Sequence, residues 1–127
     1  MRYVCLVYFE AAALAALSEA EGVKLADDST DADHELKRKG HLLVAQPLQG
    51  PETAVTIRVR NGKLSSTDGP FAESKEWLAG FFMIEARDLD EAVSIAEGSP
   101  VARIGSIEIR PALEQRHSRT NIGRPAL

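Results

Sequence analysis

Asp68, Glu73 and Lys75 fall in one short stretch, TDGPFAESKEWL, and their types could do proton chemistry on a charged small molecule. Asp68 is a candidate general acid or base, Lys75 a cation for an anionic substrate and Glu73 an orienting carboxylate, with Phe71 as a further substrate contact. The same residues also have a purely geometric explanation. Asp68 can accept backbone hydrogen bonds in an Asx-type turn, and Gly69 suits the position before Pro70. Phe71 can plug a core, and Glu73 can pair with Lys75 at the surface. The turn explains Asp-Gly-Pro-Phe completely, but it leaves Glu73 and Lys75 unexplained.

His34 is the second catalytic candidate. It follows Asp31 by three residues, a spacing that puts both on one helical face, where the acid could orient the imidazole. A helical histidine among acids can equally be solvated. His41 stands at the opening of the next apolar segment. Arg110, with Arg58 and Arg60, occupies polar positions of alternating segments and could bind an anion. Cross-strand ion pairs are the simpler explanation of these arginines.

Metal chemistry finds no support. DDSTDADHELKR imitates a calcium loop through Asp27, Ser29 and Asp31, but Ala32 stands where the sharp turn needs Gly, and Arg38 where a bidentate Glu belongs. The three histidines form no zinc-type pair. No metal and no cofactor is expected. Cys5, between Val4 and Leu6 in an apolar run, is expected to be a packed thiol rather than a nucleophile. Trp77 is expected in the core or at a subunit contact.

The elements that must carry these residues follow from periodicity. Tyr3 to Phe9 is a short β-forming run suited to a strand buried on both faces. Glu10 to Ala20 is rich in Ala and Leu and predicts a helix, with Leu14 and Leu17 on one face. Asp28 to Lys39 predicts a second helix, capped by Asp28 or Ser29, basic in its last turn and stopped by Gly40. HLLVAQPL is a strand that Pro47 ends or confines to an edge.

AVTIRVRNGKLSSTDG predicts a hairpin around a type I′ Asn61-Gly62 turn, with Val55, Ile57 and Val59 on one face and Thr56, Arg58 and Arg60 on a wet one. Leu78 to Ala86 is a buried strand in which Gly80 marks a bulge or close approach. DLDEAVSIAEGSP is a helix with Asp88 as N-cap, Glu91 as its capping-box partner and Gly98 with Pro100 as the stop. GSIEIRPA closes with a strand.

The order βαβ, hairpin, βαβ predicts an α+β, ferredoxin-like sheet with both helices on one face. The other face, if apolar, must be covered by a second subunit, so a homodimer with sheets packed face to face is expected. The chain has 127 residues, 44% hydrophobic and 27% charged, which fits a single soluble globular domain. Residues 1–112 form this domain, and 113–127 a polar, basic, mobile tail.

Net charge is −4. From Arg116 onward there are three Arg and no acid, so the rest carries −7 and would repel phosphate backbones. No nucleic-acid partner is expected. Glu10 interrupts the apolar N-terminal run, which argues against a signal peptide. No segment approaches the roughly 18 apolar residues of a membrane span. With one cysteine, a cytoplasmic location is the default expectation.

The stretch STDGPFAESKEWLAGFFMIEARDLDEA, followed by GSIEIRP and preceded at the N-terminus by RYVCLVY, resembles the DGPF subgroup of the YCII-related proteins over residues 1–112. The resemblance implies a ferredoxin-like α+β barrel formed by a dimer. A dehydrochlorinase in the wider family implies lyase-like chemistry, and a His and Asp pair is the implied catalytic couple of smaller members. Subgroup relatives encoded beside extracytoplasmic-function sigma factors imply a regulatory setting.

One segment departs from that pattern. EGVKLADDSTDAD, broken by Gly22 and rich in acids, stands where relatives have continuous helix. Two functions are therefore expected: a small-molecule lyase or isomerase using Asp68 or His34, with Lys75 or Arg110 on an anionic substrate, or a non-catalytic ligand-binding or regulatory dimer.

Overall fold

In a computed structural model, which describes residues 1–126, the chain is α+β. Strands β1 (Arg2–Glu10), β2 (Leu42–Pro47), β5 (Glu76–Glu85) and β6 (Ser106–Pro111) form one sheet in the order β2-β5-β1-β6. Every neighbouring pair is antiparallel. This arrangement is compatible with the expected ferredoxin-like fold. Strands β3 (Val55–Arg60) and β4 (Lys63–Asp68) form a separate two-stranded ribbon inserted between β2 and β5.

Alternation along β1 decides where the core lies. Tyr3, Cys5, Val7 and Phe9 are buried, whereas Val4, Leu6 and Tyr8 are only half-buried. Cross-strand partners on β5 follow the same parity, with Phe82 and Ile84 buried and Phe81 and Met83 half-buried. The first set packs with Ala92 and Ala96 of α3 (Leu89–Glu97), and with Leu25 of α2 (Glu19–Arg38), into one core. The helices thus cover one sheet face. The other face is half-open.

The register of β1 on β5 slips between Val7 and Tyr8, opposite Gly80. A Cβ on Gly80 would lie 2.9 Å from the Gln46 carbonyl oxygen and 3.0 Å from Pro47 Cα, so glycine here admits the edge strand β2. The bulge and the close approach expected of Gly80 are both present.

The helical expectations need correction. Residues 11–15 form only a short α1 (Ala11–Ala15), and a single long α2 runs from Glu19 to Arg38. Ser18 starts it through a reciprocal capping box: its Oγ accepts from Glu21 N–H at 3.1 Å, and Glu21 Oε1 accepts from Ser18 N–H at 3.1 Å. That box, with an i,i+4 ion pair of Lys24 and Asp28 at 2.6 Å, carries the helix through Gly22 and the acid-rich DDSTD segment. The predicted interruption is therefore absent.

In α3, Asp88 Oδ1 accepts from Glu91 N–H at 2.9 Å as expected, but the Glu91 carboxylate accepts from Arg87 N–H rather than closing the box on Asp88. The hairpin turn is as expected, with positive φ at both Asn61 and Gly62. Its wet and dry faces are not. Val55, Ile57, Val59 and Leu64 share one face and are 61%, 64%, 58% and 67% exposed, because the ribbon packs extensively on no other element.

The C-terminal segment makes local contacts of its own. Arg116 pairs with Gly123 in an isolated antiparallel bridge. His117 Nδ1 accepts from the N–H groups of Arg119 and Thr120 at 3.2 and 3.3 Å, Arg116 donates to the Asn121 carbonyl at 2.7 Å, and Arg124 donates twice to Gln115 Oε1. Among the described residues, no helix is long and apolar enough to cross a membrane.

Candidate functional site

Between the C-terminal half of α2, the length of α3 to its C-terminal end and Phe82 of β5 lies a cleft of about 400 Å³ lined by Asp33, Lys39, His41, Glu91, Ser94 and Ser99 among others. Its geometry originates in α2. Leu25, Ser29, Ala32, Asp33 and Leu36 recur at helical spacing on the inward, half-buried side. Two of these are polar. Ser29 Oγ is buried without a hydrogen-bond partner among the described residues. Asp33, one turn later, is half-buried, and desolvation raises its carboxyl pKa above the ordinary value, while the neighbouring His34 pulls weakly the other way.

The end of α2 sets the opposite wall. Gly40 adopts φ +84, donating its N–H to Lys37 O at 3.0 Å, while His41 N–H bonds Leu36 O at 2.9 Å. This Schellman closure delivers His41 to the first position before β2. There its carbonyl accepts from Glu85 N–H at 2.8 Å, and its ring Nδ1 lies 2.9 Å from Glu85 O. A carbonyl oxygen can only accept, so Nδ1 carries a proton, and the neutral form of the ring is the tautomer with its lone pair on Nε2. The cleft thus combines a desolvated carboxyl, an imidazole of defined tautomer and the Ser94 hydroxyl. Such groups can take up and return a proton.

The other charged residues at the rim are already committed. Glu35 pairs with Arg38 and, at 3.7 Å, with Lys39, and its pKa is held below the ordinary value by the Arg38 hydrogen bond first. Glu91 pairs with Arg87 at 2.9 Å.

The sequence-predicted residues are dispersed. His34 is exposed on α2, where its charge acts on the Asp33 carboxyl, and it makes no hydrogen bond to Asp31 among the described residues. Asp68 is the exposed last residue of β4. Among the described residues its carboxylate accepts no hydrogen bond, so the Asx-type turn is not formed. The turn is held instead by Gly69 at φ +108, whose N–H reaches Ala54 O at 2.7 Å and whose carbonyl accepts from Thr56 Oγ1 at 2.9 Å.

Phe71 is not a core plug: it is 78% exposed, with the Arg58 guanidinium 5.2 Å from its ring centre. Glu73 and Lys75 are exposed and unpaired with each other among the described residues. Arg110 is exposed opposite Val4 on β1, without an acidic partner among the described residues. The expected cross-strand ion pairs are likewise absent: Arg58 faces Ser65, and Arg60 faces Lys63.

Lys75 does line a second hollow, of about 530 Å³, with Tyr8, Ser74, Glu76, Ser106 and Glu108. Ser74 Oγ donates to the Glu76 carbonyl and Ser106 Oγ lies 3.3 Å from Glu76 Oε1. Tyr8 and Glu108 belong to the half-open sheet face, so α2 and its His34 lie across the sheet from Lys75. His34 and Lys75 are not brought together.

Sequence reasoning missed Asp33 and left His41 without a role. The available signal was helical spacing from Leu25 and Leu36, which becomes visible only when the helix is carried through Gly22. Cys5 is fully buried and desolvation pushes its thiol up to about 12, so it stays protonated. No group of three or more His, Cys, Asp or Glu able to hold a metal ion occurs among the described residues.

The YCII-related domain matches residues 1–116. A Rhizobium meliloti (strain 1021) protein described as uncharacterised is 34% identical over 113 residues, 87% of this chain and 91% of that one. The match spans the sheet, both long helices and the ribbon, and on it the chain belongs to the YCII-related domain family.

Proposed function

We propose that the protein binds a small anionic molecule in the cleft between α2 and α3 and performs lyase- or isomerase-type proton transfer there. One observation carries this: Asp33, the desolvated carboxyl with a raised pKa, shares the cleft with His41, whose Nδ1 is committed to Glu85 O. Asp33 is the acid of the couple and His41 Nε2 its base, and Lys39 at the rim exchanges its 3.7 Å pairing with Glu35 for the substrate's charge. In this arrangement Asp68 and His34, the catalytic candidates from sequence, act from outside the cleft, and Phe71, Glu73, Lys75 and Arg110 belong to a separate surface.

The protein is further proposed to fall in the DGPF subgroup, to act in the cytoplasm and to form a homodimer through its half-open sheet face. There Val4, Leu6, Phe81 and Met83 form a partly exposed apolar centre. A second reading, ligand binding or regulation without turnover beside a sigma factor, is favoured by the dispersal of Asp68, Glu73 and Lys75.

The test is proton exchange. The protein is incubated in D2O with a panel of small carboxylic acids bearing acidic C–H groups, and deuterium wash-in is followed by proton NMR. Wash-in that falls at least about 100-fold in Asp33→Asn and His41→Asn supports the cleft chemistry. Ligand binding without wash-in, unaffected by both substitutions, would move the function to the second reading.

A further inference from the structure

Residues 115–125 form a loop whose polar atoms are sorted by kind. Two backbone bonds close it, His117 N–H to Ile122 O at 2.8 Å and Asn121 N–H to His117 O at 2.9 Å, with Asn121 at φ 60 turning the chain back. The loop bounds a hollow of about 470 Å³ lined by Gln115, Arg116, His117, Ile122, Arg124 and Pro125 among others.

The side-chain acceptors of this lining are already engaged. Gln115 Oε1 accepts from Arg124 Nε and Nη2 at 3.1 and 2.8 Å, and a guanidinium can only donate, so the Gln115 NH2 group is left as a donor. His117 Nδ1 accepts from the backbone N–H groups of Arg119 and Thr120, so the neutral ring carries its proton on Nε2. Arg116 donates through Nη1 to Asn121 O at 2.7 Å, and its other N–H groups, like Nη1 of Arg124, have no partner among the described residues. No residue of the lining is acidic, and the neighbouring Glu114 lines the adjoining hollow instead.

We propose that this hollow is a binding site for phosphate, either as the free ion or as the terminal group of a small monoester. Donors without acceptors suit a group whose oxygens accept, and two guanidinium groups supply charge-assisted, forked hydrogen bonds to it. A neutral or cationic ligand would leave those donors unmet. Ile122 and Pro125 offer apolar surface to the carbon part of an ester. From Arg116 onward there are three Arg and no acid while the remainder carries −7, so a dianion is drawn to this segment rather than to the body of the protein. The site lies almost wholly beyond residues 1–116, which match the family domain, and shares no residue with the α2–α3 cleft.

The test is a titration of the full chain with inorganic phosphate and, in a second arm, with glycerol phosphate, at about 0.15 M NaCl and read by amide NMR shifts. Saturable shifts confined to residues 115–124 are expected. Arg124→Gln should weaken binding at least about 10-fold, and Arg124→Lys, which keeps the charge but not the fork, at least about 3-fold. Arg124 takes no part in the two backbone bonds that close the loop, so both variants should keep the His117 and Asn121 amide shifts of the free protein. Arg119→Gln removes the same charge from a side chain outside the lining and should bind as wild type. Equal weakening by Arg119→Gln and Arg124→Gln would reduce the effect to diffuse charge and overturn the site. Shifts that do not saturate, or that fall at Lys39 and His41 instead, would overturn it as well. Tighter binding of glycerol phosphate assigns the site to a monoester, and equal affinity assigns it to the free ion.

Discussion

His41 is tied to Glu85 twice, through its own carbonyl at 2.8 Å and through ring Nδ1 at 2.9 Å, so one residue of β5 fixes both the backbone and the tautomer of the cleft imidazole. The Glu85 side chain is in turn held at 3.0 Å by the N-terminal amino group, whose hydrogen bond keeps that carboxyl below its ordinary pKa. Imidazole orientation thus depends on a strand pairing that closes the sheet, rather than on a flexible loop. This is the preorganisation that acid–base work requires.

Asp33 makes the protein's stability depend on pH in a defined direction. Its folded-state pKa is raised, so the folded protein holds this proton more tightly than the unfolded chain. The stabilisation is complete below the ordinary value of 3.8 and is lost as pH rises through the raised value. Asp33→Asn should therefore be more stable than wild type in urea at neutral pH, with the difference shrinking toward about pH 3. A less stable Asn variant at neutral pH would show that the carboxylate is favourably bound instead of desolvated.

The glycines separate space from conformation. A Cβ at Gly22 meets nothing within 4 Å, so Gly22→Ala should stabilise α2 by about 0.5–1 kcal/mol. A Cβ at Gly105 would fall 2.3 Å from the Tyr8 carbonyl oxygen and 2.9 Å from the Phe9 ring, so Gly105→Ala should destabilise by about 1–3 kcal/mol. Urea midpoints of the two variants should move in opposite directions. A loss for Gly22→Ala would mean that the helix is not continuous there.

These glycines also mark where the sequence was and was not legible. The sheet was, because β1 and β5 are strongly apolar and Asn61-Gly62 and Asp88 carry local signals that no distant contact overrides. The continuity of α2 was hidden because helix propensity penalises Gly22 and Asp27 to Asp31, whereas the Ser18 capping box and i,i+4 pairing outweigh that penalty. Asp33 was hidden with it, since its inward position depends on helical phase running from Glu19. The contacts of the C-terminal segment were hidden for another reason: His117 Nδ1 accepts from backbone N–H groups, Arg116 donates to the Asn121 carbonyl and Arg124 to Gln115, none of which has a periodic signature.

Cys5 should behave as a core atom. Its thiol, pushed up to about 12 by burial, should react with a thiol reagent only after unfolding. Cys5→Ser, which buries a hydroxyl in the same apolar site, should cost about 1–3 kcal/mol in urea unfolding. Rapid labelling of the native protein at neutral pH would contradict this placement.

The most direct measurement is a carbon- and nitrogen-detected NMR titration of the Asp33 carboxyl and the His41 ring in the native protein. The expected result is an Asp33 midpoint clearly above 3.8, together with His41 nitrogen shifts showing a neutral ring protonated at Nδ1. An Asp33 midpoint at or below the ordinary value, or a ring protonated at Nε2, would contradict the assignment of acid–base chemistry to the α2–α3 cleft.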